Sequence, residues 1–360
     1  MKGAAKMKTY RIATIGYGGM GRWHHEGILK TDRFSFTGVY DVDPKRCELA
    51  LADGFTRVYT SADELFADPE IDVVLCATPN NFHMPYVCRA LESGKAVVCE
   101  KPVAMSSEEL QIMMDTAART GQVFTVHQNR RADPDFLKVR EEIASGKLGR
   151  VFALESRVNG SRGIPEGWRQ YAVAGGGMML DWGVHLIDQL LMLDPTPVTS
   201  VYCRMYHVHY TECDDGFRLV LEFESGLQAV VEVGTSHYAP TPRWVVYGDR
   251  GGMRILDWNG NGDIVRAVTR DVHFEEEIIY TKAGPTKTMA PRAKETIEET
   301  RLDPADMPSG DYDGFYRNLA DVLDGNAELL VKPAEAMRVM RVMEASFASD
   351  RDGQVVKGPF

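Results

Sequence analysis

The chain has little cysteine, no long uncharged apolar run and no excess of positive charge. Six cysteines spread over 360 residues, with no CxxC pair, are too few and too scattered for a disulfide framework, so reduced thiols and a cytoplasmic location are expected. Cys76 and Cys99 lie inside apolar strand-like runs, where a buried thiol behaves as a small hydrophobe. No apolar stretch reaches membrane-spanning length, and the opening MKGAAKMKTY carries lysines without the apolar core of a secretion signal. With 41 Lys plus Arg against 52 Asp plus Glu, the formal charge of −11 excludes a nucleic-acid or anionic-membrane surface as the expected partner. Internal repeats and low-complexity segments are missing as well. A small neutral ligand is the partner that remains.

What is present is a chain long enough, at 44% apolar, to bury two cores. Its first third alternates strand and helix signals. Tyr10 to Ile15 reads as a strand and is followed at once by Gly16, Tyr17, Gly18, Gly19, Met20 and Gly21, a GxGxxG, and then by a helical run. Such a loop lets the backbone approach a pyrophosphate and puts it at a helix N-terminus, where free N–H groups favour anions. A second strand, Phe34 to Tyr40, ends in Asp41, where that fingerprint expects an acid for the ribose hydroxyls. A carboxylate there repels a 2′-phosphate, so NAD is expected rather than NADP; Lys45 and Arg46 are read as the solvent side of the next helix, although a base there could also receive that phosphate. Further strands are read at Ile71 to Ala77, Ala96 to Cys99 and Gln122 to Val126, with helices at Met84 to Glu92 and Ser106 to Thr120. Continuously apolar strands alternating with helices predict a doubly wound parallel sheet over residues 1–127. Ligands of such sheets lie beyond the carboxyl ends of the strands, where the loops carrying Pro79, Asn80, Glu100 and Lys101 converge.

From residue 128 to 360 the pattern changes to a second domain. After a helix through Leu137 to Ala144, strand-like runs at Arg150 to Asn159, Val198 to Val208, Arg218 to Phe223, Gln228 to Gly234 and Trp244 to Tyr247, with weaker ones up to Tyr280, predict an open, mostly antiparallel sheet. An apolar outer face on such a sheet needs a cover, so a homo-oligomer is expected. Ala283 to Ser309 reads as loop, and helices at Tyr312 to Leu323 and Ala334 to Ser349 close the chain. Between the first two of these strands lies GGGMMLDWGVHLIDQLL (175–191), apolar almost all round from Met178 on. Its exceptions, Asp181, His185, Asp188 and Gln189, fall at helical spacing on one stripe, which predicts a buried helix with a polar cavity on that side. Taken alone, His185 and Asp181 could equally be a satisfied structural pair.

GYGGMG at 16–21, Asp41, TPNNFH at 78–83, EKP at 100–102 and GGGMMLDWGVHLID at 175–188, in that order, resemble the glucose-fructose oxidoreductase / inositol dehydrogenase / rhizopine-catabolism (Gfo/Idh/MocA) family over essentially the whole chain. NRRADPDF after position 128 and the WR at 168–169 further resemble its scyllo-inositol dehydrogenase, anhydrofructose reductase and glycoside 3-oxidising branches. The resemblance implies a Rossmann domain and an α/β domain, and hydride transfer between nicotinamide and a secondary alcohol of a sugar, glycoside or polyol. It implies Lys101, Asp181 and His185 as the catalytic set, with Thr78, Pro79, Asn80, His83, Glu100, Lys101, Trp168 and Arg169 at the cofactor. In that scheme His185 is the general base, since imidazole titrates near working pH. Lys101 stabilises the alkoxide, and Asp181 orients the base or binds an adjacent hydroxyl. Asn129, Arg130 and Asn159, with Glu155 and Arg157 on the same strand face as Asn159, are candidates for substrate hydroxyls or simply a solvated face. Cys203, His207 and His209 share strand parity but lack a fourth ligand, so no metal is expected. A redox-neutral enzyme that retains its NAD, and a non-catalytic sensor on the same fold, are the alternatives; an intact Lys101, Asp181 and His185 weigh against the second.

Overall fold

The computed structural model describes residues 8–269, 278–286 and 292–360; the first lysines of the chain and part of the stretch read as loop fall outside them. Two sheets organise the fold. The first is five-stranded and parallel, in the order β2-β1-β3-β4-β5, built from β1 (Tyr10–Ile15), β2 (Phe34–Tyr40), β3 (Val73–Cys76), β4 (Ala96–Glu100) and β5 (Phe124–His127). β3 and β4 are buried at every position, as expected of central strands covered on both faces. Helices α1 (Gly19–Ile28), α2 (Pro44–Ala52), α3 (Ala62–Ala67), α4 (His83–Glu92) and α5 (Ser107–Thr120) connect or flank these strands. Two of them begin as their sequences dictate: Ser61 and Ser106 each accept the amide three residues on, at 3.1 Å, with acids in the first turn.

Beyond α6 (Pro134–Ala144) the second sheet has nine strands, in the order β15-β12-β11-β10-β6-β9-β8-β7-β16. They are β6 (Val151–Asn159), β7 (Val198–Tyr206), β8 (Gly216–Phe223), β9 (Gln228–Gly234), β10 (Trp244–Gly248), β11 (Gly251–Ile255), β12 (Gly262–Ala267), β15 (Ile297–Leu302) and β16 (Val356–Lys357). All neighbours are antiparallel except β6 and β9, which pair in parallel, so the fold is α/β with an open mixed sheet. β13 (Ile279–Thr281) and β14 (Gly284–Thr286) form a small hairpin of their own.

Two features differ from the sequence reading. The region 283–309 is not loop throughout: β14 falls in it, and β15 pairs with β12 from Gly262↔Leu302 to Ala267↔Ile297 as the sheet's edge. Its residues IEETRL are exposed except at the two ends, so the edge strand carries charge in place of apolar alternation, which conceals it. Likewise β7 ends at Tyr206, which takes His207 and His209 off the strand and removes the parity shared with Cys203. All six cysteines are free.

The segment 178–193 is helical, but it opens as a π-helix (Met179–Gly183) before becoming α7 (Val184–Leu193). Asp214 fixes that start by accepting the Met179 amide at 2.8 Å, while its carbonyl accepts from Met178 at 3.0 Å. A Cβ on Gly177, where φ is +99°, would stand 2.3 Å from the Asp214 carboxylate, so this approach requires glycine. α8 (Gly314–Leu323) and α9 (Pro333–Asp352) return to the first sheet: Arg33 bonds Asp321, and Thr125 donates to the Val331 carbonyl at 2.8 Å. None of the described helices is long and apolar enough to cross a membrane.

Candidate active site

The carboxyl ends of the parallel strands open into a cavity of about 680 Å³. Its lining contains Gly16, Gly18, Gly19, Met20, Asp41, Thr78, Pro79, Asn80, Glu100, Lys101, Trp168, Arg169 and Asp181, residues that are scattered in sequence. Two of the proposed cofactor residues stand behind this wall. Gly21 packs against the Gly16 carbonyl, which would lie 2.3 Å from a Cβ, and so closes the turn rather than facing the ligand. His83 is fully buried and bonds the carbonyls of Pro102 at 2.9 Å and Thr78 at 3.0 Å, tying together two of the loops that carry site residues. Phe82 of the TPNNFH segment and Arg46 also line the cavity, as do Tyr40, Val42, Tyr86, Glu166 and Gly167, which had no motif to reveal them.

The glycine loop suits a dinucleotide. Gly16 has φ +89°, and a Cβ there would meet the Ala77 carbonyl at 2.5 Å, so the turn needs glycine. Gly18 and Gly19 would meet nothing within 4 Å, which leaves open space in front of the loop. Helix α1 starts there without a capping side chain or an acid in its first turn, so its N–H groups and dipole are free for a phosphate. Beside the loop the Asp41 carboxylate accepts the Tyr17 amide at 2.6 Å and the Asp43 amide at 2.8 Å, which fixes it in place.

At the other end, Lys101 Nζ donates to Asp181 Oδ1 at 3.2 Å and to the Asp181 carbonyl at 3.1 Å. Arg169 Nε reaches the same Oδ1 at 3.2 Å, and its guanidinium lies over the Trp168 ring. Burial alone would raise the Asp181 pKa, but these two cations outweigh it and hold the carboxyl below its usual range. The loop that carries Trp168 is tied down by Asn80, whose Nδ2 donates to the Gly175 carbonyl at 2.8 Å.

His185, one turn further along, is buried, and its Nδ1 has no hydrogen-bond partner among the described residues. Burial, then the charges of Lys101 and Arg130, push its pKa well below the ordinary imidazole value, so the ring is neutral. The rest of the expected polar stripe is differently employed. Asp188 forms a two-pronged pair with Arg131 at 2.6 and 2.7 Å, and Gln189 donates to the Arg130 carbonyl at 2.7 Å. Only Asp181 of the stripe faces the cavity, because the π-turn sets it apart from the α-helical positions that follow.

Beneath Lys101, Glu100 is clamped from two sides. His24 Nε2 lies 2.7 Å and His127 Nδ1 3.0 Å from Glu100 Oε1, and the Tyr316 hydroxyl closes on His24 Nδ1. Burial, and then His127, push His24 down to about 4, so it is a neutral donor to an ionised Glu100. Burial opposes that ionisation, and the bonds from His127 and His24 overcome it, which keeps Glu100 well below its usual value. Neither His24 nor His127 belongs to a recognisable motif; the in-register pairing of Glu100 with His127 across β4 and β5 shows why the latter belongs here.

The remaining candidates divide. Asn129 and Arg130 line a second cavity of about 360 Å³, with Met20, which also lines the first, and Trp23 and Tyr312. Asn159 lines neither cavity; it donates to Thr241 at 2.9 Å and lies 3.4 Å from Glu232, and Glu155 pairs with Arg157 on the same face.

Residues 10–128 match the oxidoreductase family with an NAD-binding Rossmann fold, and residues 136–254 match the GFO/IDH/MocA C-terminal domain. The chain belongs to the GFO/IDH/MocA oxidoreductase family. It is 26% identical to scyllo-inositol 2-dehydrogenase (NADP(+)) IolW of Bacillus subtilis over 99% of this chain and 98% of that one. It is 31% identical to D-glucoside 3-dehydrogenase of Escherichia coli over 52% of this chain and 55% of that one. Among solved structures, an NAD-binding protein from Listeria innocua superposes with a TM-score of 0.91 at 41% identity, covering 98% of this chain and 100% of that one.

Proposed function

We propose that this chain is an NAD-dependent oxidoreductase that moves a hydride between nicotinamide and a secondary hydroxyl, or the corresponding ketone, of a sugar, glycoside or cyclitol. Residues 1–127 hold the coenzyme, and residues 128–360 hold the substrate and the surface for self-association. The observation that carries this is the pairing of Lys101 with Asp181 in a cavity that the glycine loop and Asp41 also line, with a buried, neutral His185 one turn behind Asp181. The names of the relatives, which act on scyllo-inositol and on a D-glucoside, support the substrate range.

A nicotinamide dinucleotide, when bound, supplies the hydride acceptor or donor; this chain supplies aim and proton handling. Gly16, Gly18, Gly19 and Met20 would hold the pyrophosphate, Asp41 the ribose hydroxyls, and Thr78, Pro79, Asn80, Trp168 and Arg169 the remaining walls. His185, buried and neutral, accepts the proton of the reacting alcohol at a ring nitrogen. The Lys101 ammonium, held by Asp181, stabilises charge on that oxygen without having to reorganise. Asn129 and Arg130 bond substrate hydroxyls. Tyr202, Val220 and Val230, partly exposed and in register across β7, β8 and β9, suit a face covered by a second copy.

The test is a panel of inositols, free sugars and glycosides incubated with NAD or NADP and followed at the absorbance of the reduced coenzyme. Turnover of a polyol or glycoside that Lys101→Ala and His185→Ala each abolish supports the assignment. An absorbance of reduced coenzyme in the freshly purified protein, without net turnover, points instead to the redox-neutral variant.

A further inference from the structure

Next to His185 a ladder of aromatic rings leads out to solvent. The Trp182 ring stands edge-on to His185 at 6.0 Å between centroids, and Trp258 lies 5.7 Å beyond Trp182. Trp182 is partly buried within the π-turn, whereas Trp258 is 52% exposed, an unusual cost for the largest apolar side chain unless something covers it. Trp258 does not reach outward on a loose loop. It sits on a tight turn in which Asp257 accepts the amides of Asn259 at 2.9 Å and Asn261 at 3.2 Å and the Asn261 side chain at 2.8 Å, while Leu256 donates to the Asn261 carbonyl at 2.7 Å.

The turn presents a fixed indole face, so little conformational entropy is lost when a ligand stacks on it. A guanidinium lies over each ring, which leaves the exposed side of Trp258 for a ligand. Arg130 lies 4.1 Å from the Trp182 centroid and 5.5 Å from that of Trp258, and Arg243 lies 4.6 Å from Trp258. Both cations are already paired, Arg130 with Asp133 at 3.0 Å and Arg243 with Asp135 at 3.2 Å, so the framing adds no net charge that would call for an anion. Polar atoms nearby are nevertheless unsatisfied among the described residues: Arg130 Nε, Asn129 Oδ1 and, on the 3% exposed Arg243, Nη2. An apolar aromatic face flanked by unspent donors and acceptors matches a neutral pyranose. The axial C–H bonds of such a ring lie against the negative π-face, while its equatorial hydroxyls point sideways to hydrogen-bond partners.

We propose that Trp258 and Trp182 form an aromatic subsite beside the reacting centre that stacks the second ring of a gluco-configured glycoside, with Arg130 and Asn129 bonding its hydroxyls. The inference rests on the dehydrogenase reading above and sharpens it. A single six-membered ring whose carbinol meets His185 is long enough to reach Trp182; Trp258, one ring further along the ladder, is in place for whatever is attached to that ring. A glucoside or disaccharide of β-configuration, with its axial hydrogens on both faces, therefore gains a contact that a free cyclitol lacks.

The test uses the full-length protein with coenzyme and compares cellobiose and phenyl β-D-glucoside with methyl β-D-glucoside and scyllo-inositol. The expected result is a KM at least tenfold lower for the two-ring substrates, abolished by Trp258→Ala, largely kept by Trp258→Phe, and expressed in KM rather than kcat. Binding is read separately, by quenching of tryptophan fluorescence on titration with cellobiose. Turnover of methyl glucoside or inositol with no two-ring preference and no cellobiose quenching overturns the subsite and leaves the dehydrogenase reading standing. Quenching that Trp258→Ala removes, in a protein that oxidises none of the four compounds, keeps the subsite and overturns that reading. A loss in Trp258→Ala that is equal for one-ring and two-ring substrates also overturns the subsite.

Discussion

The ammonium of Lys101 donates to both the carbonyl and the carboxylate of Asp181, residues separated by 80 positions, so the end of the parallel sheet is tied to the π-turn of the second domain. The lysine is thereby fixed before any substrate arrives, the condition under which a charge stabilises an oxyanion most. Lys101→Met should lower the hydride step by about 10²–10³-fold, the loss typical of removing one such donor. Coenzyme affinity should change far less, because the glycine loop and Asp41 supply other parts of the cavity lining. Single-turnover stopped flow with titration of reduced-coenzyme fluorescence separates the two; an unaltered hydride step would remove Lys101 from the chemistry.

The position of His185 gives a pH signature. Burial and the Lys101 and Arg130 charges favour its neutral form, so the basic ring persists below the ordinary imidazole value and the acid limb of kcat/KM for alcohol oxidation should lie under about 6.5. Lys101→Met removes one of the cations that depress it, and the limb should move upward toward that value. Arg130→Met should move it in the same direction. A limb that stays fixed in both variants would assign it to another group. His185→Ala should cost about 10²–10⁴-fold in the same parameter.

Much of this was legible in the primary structure, for a reason particular to each residue. The glycine loop follows a continuously apolar strand and leads into a helix, so backbone need and sequence pattern coincide at Gly16. Asp41, Lys101 and Asn80 end strands or begin the loops after them, where the rule for parallel sheets places ligands. Legibility stops where geometry departs from regular periods. The polar stripe 181–189 presumed an unbroken α-helix, and the π-turn sends Asp181 to the cavity while Asp188 finds Arg131. His24 and His127 had no motif, since their common partner Glu100 is set by strand register and helix packing. For Asn159, strand parity identifies a face but not what lies opposite it. β15 was concealed by its edge position, where charged residues replace the alternation that marks interior strands.

Asp214 holds the π-turn through the Met179 amide, yet burial lifts its carboxyl to about 7. Between the unfolded value near 3.9 and 7, the folded chain therefore keeps a proton that the unfolded chain has released, and stability falls as pH rises through this window. Asp214→Asn retains an acceptor oxygen for Met179 and has no proton to lose. Its melting temperature should be close to that of the parent at pH 4 and progressively above it up to pH 8. A constant difference across that range, measured by differential scanning calorimetry, would show that Asp214 does not titrate there.

Asp41 and Arg46 both line the cavity, and in the proposed function they set the choice of coenzyme. Two backbone amides hold the Asp41 carboxylate in place, so it cannot swing away from an incoming 2′-phosphate, and that phosphate would meet a fixed like charge. Arg46 supplies a cation to the cavity lining that the carboxylate offsets. Asp41→Ser should therefore raise kcat/KM with NADP relative to NAD by at least tenfold, about 1.4 kcal/mol of altered discrimination. Arg46→Ala alone should disturb the NAD reaction little, but in the Asp41→Ser background it should cancel the gain, because the arginine is then the group that receives the phosphate. Steady-state kinetics with both coenzymes on the four proteins of this cycle measure the coupling directly. If the two substitutions prove independent, Arg46 is not that group, and if Asp41→Ser leaves the NADP to NAD ratio where it was, discrimination does not reside at Asp41.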